Sequence, residues 1–361
     1  MQDNIGIGII GTGFARKVQI PAFLSCDGVR IASVASYRLA NAQATAAEAG
    51  SGHFTDDWRQ TVIRDDVDLV CITTPPSSHH EMTMFALAHG KHILCEKPMA
   101  MNVAEAAEMT AAAHGKPLLA LIDHELRFQK GRQTAFKMLR DGIIGKVRHA
   151  KSFFQAPHRG DPTLPWNWWS DVGEGGGALG AIGSHIIDSL HWFLDADITS
   201  VSCQLQTDVK ERSDASGTLR AVTSDDSCYM LLNFADSELT DGASGIVSIS
   251  MTEGPHYMNR VEFYGSGGSM RIDHLGEVYI ARSGAAEWEE IPTDLGRKMP
   301  GMPDTGFARG FMAIAPVIVA AIRSGENEIE HAATFADGLR VQKVLDAVER
   351  SAADRSIWLD V

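Results

Sequence analysis

Near its start the chain reads Gly8-Ile9-Ile10-Gly11-Thr12-Gly13-Phe14-Ala15-Arg16, a glycine cluster between an apolar run and a stretch suited to helix. Glycines at such a turn let the backbone approach a pyrophosphate, which then rests on the N–H groups and positive dipole end of the helix. Gly11, Thr12, Gly13 and Phe14 are therefore candidate dinucleotide contacts, although the third glycine of the G-x-G-x-x-G spacing is here Arg16. At the end of the second apolar run, where an NAD site places an acidic residue on the ribose 2′-OH, stands Ser36-Tyr37-Arg38. A carboxylate there would repel a 2′-phosphate, whereas the Ser36 hydroxyl and the Arg38 guanidinium bind one. NADP(H) is accordingly favoured over NAD(H). The 14 histidines show neither H-E-x-x-H nor H-x-x-E-H spacing, so no catalytic metal is expected. The 5 cysteines are scattered without a C-x-x-C pair, which suits a reducing compartment, and Cys71 and Cys95 lie in apolar runs as inert buried thiols.

These groups need a scaffold, and the pattern of the chain describes one. The runs Ile5–Ile10, Arg30–Ser36, Leu69–Thr73, His92–Glu96 and Leu118–Ile122 are short and apolar, as buried parallel strands are. Helical stretches alternate with them: Leu39–Ala49 before Gly50, Ser78–His89 before Gly90, Val103–His114 before Gly115, the last opened by an Asn102/Glu105 capping box. The expected fold is α/β, an N-terminal Rossmann doubly wound parallel sheet over residues 1–123. Residues 124–361 are expected to form a second, α+β domain for substrate binding and oligomerisation. It would hold helices near Gly131–Leu139, Ala178–Leu194, Gly306–Ser324 and Ala332–Ala353, and an open, largely antiparallel sheet between Val147 and Glu290.

Composition narrows the partners. Two domains suit 361 residues, and 44% hydrophobic content excludes disorder. A net charge of −14 repels nucleic acid and anionic lipid, so neither is an expected partner. Met1-Gln2-Asp3-Asn4 offers no basic leader, and the apolar run after it is too short to span a bilayer; the chain reads as cytoplasmic.

Three further motifs lie along the chain: Thr74-Pro75-Pro76-Ser77-Ser78-His79, Glu96-Lys97-Pro98, and the glycine-rich Gly175-Gly176-Gly177-Ala178-Leu179-Gly180-Ala181-Ile182-Gly183-Ser184-His185 continuing to Asp188. With the N-terminal glycines and the closing Ala333–Arg340, they resemble the Gfo/Idh/MocA oxidoreductases over essentially the whole chain. The resemblance implies reversible hydride transfer between nicotinamide and a secondary alcohol or ketone of a sugar, cyclic polyol or related diol. It also implies a homodimer or homotetramer built on the second sheet. Thr74, Pro75, His79 and Glu96 join the cofactor-contact candidates, with Glu96 alternatively structural.

Such a reaction needs an acid/base group and donors for the substrate oxygen. Lys97, at the carboxyl end of a parallel strand, is the expected proton donor/acceptor. His185 is the expected substrate-orienting group, or else a hydrogen-bonded core histidine, with Asp188 on the same helix face. In the better-known pattern of the family an Asp stands four residues before this His; here it is Ala181, which removes a carboxylate from the site. Candidate substrate contacts are Arg127, for which a structural ion pair is an equal alternative, His158, and Trp166 and Trp168, whose aromatic faces suit sugar C–H surfaces but also anchor loops. Two alternatives remain on the same fold: an NAD-dependent glycosidase acting by transient oxidation, and a non-enzymatic nucleotide-sensing regulator.

Overall fold

The computed structural model describes residues 4–361, so Met1–Asp3 lie outside the described residues. The chain forms two compact units, one of residues 1–129 with 296–339 and the other of residues 130–295 with 340–361. This differs from a single division near residue 123, because a late segment returns to the first unit.

The first unit is a six-stranded sheet in the order β3-β2-β1-β4-β5-β6, all parallel. Its strands are β1 (Ile5–Ile10), β2 (Val29–Ala35), β3 (Phe54–Thr55), β4 (Leu69–Ile72), β5 (His92–Cys95) and β6 (Ala120–Ile122). Helices α1 (Ile20–Leu24), α2 (Leu39–Ala49), α3 (Trp58–Val62), α4 (His79–Ala88) and α5 (Val103–Ala113) connect them. Every residue of β1 and β4 is buried, which explains their unbroken apolar runs. Gly50 closes α2 at φ +68°, and the Asn102 side chain accepts from Glu105 N at 3.0 Å, so the stop and start signals act as read.

The returning segment carries α8 (Gly306–Ser324). Its apolar face enters one core cluster with β1: Phe311 meets Phe23 edge-on at 5.4 Å and Phe14 at 6.4 Å, and Ile314, Ile318 and Val319 complete the contact. Each such side chain buried contributes about 1.5–3 kcal/mol. By length and composition α8 would suffice to cross a membrane, but most of it is buried among these side chains, as a core helix is.

The second unit is a nine-stranded sheet in the order β16-β15-β14-β13-β7-β12-β11-β8-β17. The strands are β7 (Val147–Gln155), β8 (Ile198–Gln206), β11 (Ser227–Phe234), β12 (Thr240–Ser250), β13 (Met258–Gly265), β14 (Gly268–Ile272), β15 (Val278–Arg282), β16 (Glu289–Ile291) and β17 (Leu359–Asp360). Pairing is antiparallel except between β7 and β12. A small ribbon of β9 (Glu211–Ser213) and β10 (Leu219–Ala221) stands apart. Helices α6 (Lys130–Arg140) and α7 (Ser184–Leu194) belong to this unit, and α9 (Phe335–Ala353) closes the chain. Alternation along β13 buries Asn259, Val261 and Phe263 and leaves the residues between them half-buried, the pattern of a sheet covered on one face.

Candidate active site

In the first unit the chain order of the strands reverses between β1 and β4, and the loops at their carboxyl ends flank the crevice where ligands bind in such sheets. Gly11 follows β1 at φ +97°, and a Cβ there would come within 2.5 Å of the Thr73 carbonyl oxygen; the turn excludes every other residue. Gly13 is exposed, with nothing within 4 Å of where its Cβ would be, so its bareness answers to no neighbour in this chain. The loop opens into a π-helical turn, Ala15–Gln19, that continues as α1. Arg16, in the third glycine position, points outward and pairs with Glu48 on α2, leaving the turn clear. Thr12 is half-buried, and Phe14 rests on Phe311. After β2, Ser36 is half-buried, while Tyr37 and Arg38 are exposed, Tyr37 at 97%.

Past β4, the Ser78 hydroxyl donates to Thr74 Oγ1 at 2.8 Å, which stiffens the half-buried Thr74–Pro75 corner. His79 is fully buried, its Nδ1 lying 2.9 Å from the Pro98 carbonyl and its Nε2 3.0 Å from that of Thr74. Burial holds this imidazole below its ordinary pKa despite the two carbonyls. It reaches the site only by tying the loop after β4 to the one after β5.

Beyond β5 come Glu96 and Lys97. Lys97 is half-buried, whereas Glu96 is 8% exposed and its carboxyl accepts from the Lys97 backbone N–H. The register pairs Cys95 with Ile122, so the next residues, Glu96 and Asp123, stand side by side at two adjacent strand ends. Gln19 Nε2 donates to both carboxyls, at 2.8 Å to Asp123 Oδ2 and 3.2 Å to Glu96 Oε1. Burial pushes both carboxyls up, Asp123 furthest because Glu125 and Glu96 add their charge; the Lys97 charge and backbone N–H draw Glu96 back down. Gln19 and Asp123 are functional candidates that the sequence reading passed over. Their signals were slight: a polar residue one turn beyond the glycine loop among apolar neighbours, and an acid ending the run Leu118–Ile122.

Arg127 is buried in an ion pair with Asp337 at 3.1 Å, the structural one of its two expected roles. Against the cost of burial, this guanidinium and the Thr334 hydrogen bonds hold the Asp337 carboxyl below its usual range.

In the second unit a π-helical turn, Leu179–Gly183, precedes α7 and contains Ala181, 8% exposed. Such turns concentrate at functional sites, and here one follows the glycine loop and the other precedes the helix of His185. His185 and Asp188 follow on α7, both buried. Asp188 acts electrostatically on Arg132, a buried guanidinium that donates to Ser189 Oγ at 3.2 Å. Asp225 accepts from Leu179 N at 2.8 Å and so caps the turn that presents His185; burial pushes its carboxyl up to about 7.

Trp166 donates from Nε1 to the Ala221 carbonyl at 3.0 Å, and the Arg220 guanidinium covers its ring at 3.5 Å. The ring therefore anchors the loop to the β9–β10 ribbon, with one face taken by Arg220. Trp168 stays exposed, at 39%, and His158 is exposed beside a buried Arg159. Among the described residues no three His, Cys, Asp or Glu side chains gather as a metal ion would require.

Residues 5–124 match the family described as "Oxidoreductase family, NAD-binding Rossmann fold", and residues 132–271 match the "GFO/IDH/MocA C-terminal domain". An uncharacterized oxidoreductase of Synechocystis sp. is 31% identical over 269 residues, 74% of this chain and 71% of that one. Levoglucosan dehydrogenase of Pseudarthrobacter phenanthrenivorans is 28% identical over 99% of this chain and 98% of its own. A solved levoglucosan dehydrogenase in complex with NADH and L-sorbose superposes with a TM-score of 0.86, at 26% identity over 100% of this chain and 99% of that chain. On its fold and these matches the chain belongs to the Gfo/Idh/MocA oxidoreductase family, and its first unit contains that family's NAD-binding Rossmann domain.

Proposed function

We propose that the protein transfers hydride reversibly between NADP(H) and a secondary alcohol or ketone of a sugar, cyclic polyol or related diol. The observation that carries this reading is the placement of the Gly11–Phe14 loop and Lys97 on the carboxyl edge of one parallel sheet. The open space over Gly13 and the positive φ at Gly11 fit a pyrophosphate, held by the loop N–H groups and by Thr12. Ser36 and the exposed Arg38 take the ribose 2′-phosphate, while Thr74 and Pro75 contact the cofactor and His79 braces their loop from behind. The levoglucosan dehydrogenase relative was solved with NADH, so the preference for NADP(H) here rests on Ser36 and Arg38.

When bound, the nicotinamide supplies the hydride acceptor or donor. Lys97 Nζ exchanges the hydroxyl proton of the substrate, and Glu96 holds the lysine in place from its buried side. His185, fixed on α7 behind the turn capped by Asp225, orients the substrate, with Trp168 and His158 at its rim. We assign cofactor binding to the first unit, and substrate contacts with subunit assembly to the second. Leu231 and Ile246, directly opposite on β11 and β12 and 46% and 38% exposed, support a dimer or tetramer through that sheet face. A cytoplasmic site of action completes the reading.

The test is consumption of NADPH, against NADH, with a panel of keto-sugars beginning with L-sorbose, and reduction of NADP+ with levoglucosan. Lys97→Ala should abolish turnover; an undiminished rate in that variant refutes the assignment.

A further inference from the structure

The absence of a carboxylate at Ala181 leaves open where the proton from Lys97 goes, and the first unit holds an answer. Glu96 and Asp123 end adjacent strands in register, both are buried, and a single amide, Gln19 Nε2, reaches both. Two buried carboxyls that share one amide donor resist a second ionisation, because each charge would face the other at short range. The remaining neighbours sharpen this. Glu125 adds negative charge to Asp123, and the Cys71 and Cys95 thiols, under the same charges and burial, are held protonated. Lys97 acts on the pair as a cation, through Glu96. Asp123 Oδ1 is buried and takes no hydrogen bond from a donor, so nothing on that oxygen stabilises a carboxylate charge.

We propose that Glu96 and Asp123 form one acid pair that holds a shared proton and exchanges protons with Lys97. In the oxidising direction an N–H bond of the Lys97 ammonium breaks and an O–H bond forms on the Glu96 carboxylate. The pair then carries two protons, one on each carboxyl, and Lys97 is returned neutral to accept the next hydroxyl proton. No electron moves in this step, and the extra proton passes from the pair to water. Gln19 sets the pair's proton affinity and stands on the turn that follows the glycine loop, so cofactor loop and acid pair share one element. The inference rests on the reading of Lys97 as the acid/base group.

Two measurements on the purified full-length protein test it without any substrate. Infrared spectra recorded at about neutral pH, well above the ordinary carboxylate range, should show the C=O stretch of a protonated carboxylic acid that Asp123→Asn removes. Assignment by substitution is essential, because Asp225 contributes a second such group. Gln19→Leu, which keeps both acids, should preserve the band to higher pH. Separately, the pH dependence of Lys97 acetylation by acetic anhydride, read by peptide mass spectrometry, should move to lower pH by roughly one unit in Glu96→Gln. Loss of packing alone would change the extent of labelling and leave its midpoint in place. A spectrum unchanged by Asp123→Asn, or an unmoved midpoint in Glu96→Gln, overturns the pair or its link to Lys97 respectively. Turnover that survives Lys97→Ala while both signatures hold defeats the catalytic reading of Lys97 instead.

Discussion

The Asp225 carboxylate lies against the bare Cα of Gly177, so close that a Cβ on that glycine would overlap Oδ1. Gly177 also stands at φ +119°, where L side chains rarely go. Gly177→Ala should therefore displace the cap from Leu179 N, costing about 2–4 kcal/mol in denaturant unfolding. Turnover should fall with it, because the turn before His185 loses its anchor. A variant as stable and active as the parent would show that the cap positions nothing.

Asp225 also makes stability depend on pH. Burial raises its carboxyl from 3.8 to about 7, so between those values the folded chain holds a proton that the unfolded chain releases. The stabilisation is complete below pH ~4 and is lost as pH rises through ~7, by up to about 4 kcal/mol. Asp225→Asn keeps an acceptor for Leu179 N and cannot ionise. Its melting temperature should exceed that of the parent above about pH 8 and converge with it at about pH 4. Parallel melting curves at all pH values would exclude the effect.

The two loop glycines should separate fold from ligand. Gly11→Ala collides with the Thr73 backbone and should cost about 3 kcal/mol or more. Gly13→Ala meets nothing within the chain and should leave the melting temperature unchanged while weakening dinucleotide binding at least about tenfold, about 1.4 kcal/mol. Titration calorimetry with NADPH measures this, and equal affinity in Gly13→Ala would mean that the loop is not the phosphate site.

Arg38→Asp should invert the cofactor preference. A carboxylate at that exposed position repels a 2′-phosphate and accepts from a ribose hydroxyl. NADPH affinity should drop by about 2 kcal/mol, roughly thirtyfold, with NADH affinity kept or improved. Unchanged NADPH binding removes the argument for NADP(H).

Much of the first unit was legible because its signals are local. The run Ile5–Ile10 is buried along its whole length, and the Asn102/Glu105 cap depends on residues three apart. Local signals also sufficed for Gly11, whose positive φ follows from its place after β1. What the sequence hid are relationships between distant segments. Gln19 and Asp123 lie 104 residues apart and meet only because β6 docks beside β5 in register. Arg127 and Asp337 meet because the late segment folds back onto the first sheet, which no local period announces. Trp166 left two readings open, sugar stacking or loop anchoring, and the partners that favour the anchor, Arg220 and the Ala221 carbonyl, lie some 55 residues away. The two π-helical turns escaped as well, since one extra residue per turn leaves the apolar spacing nearly unchanged.

The return of residues 296–339 to the first unit has a consequence for how the protein is made. Synthesis delivers the glycine loop long before the helix that covers Phe14 and Phe23. At about 5–20 residues per second, the nascent sheet waits many seconds with that apolar face open. Residues 130–295 emerge as a whole in the interval, so the later-starting unit has most of its chain before the earlier one is closed. A ribosome stalled before residue 306 would therefore hold a dinucleotide fold lacking the roof of its core, a natural client for chaperones that bind exposed apolar surface.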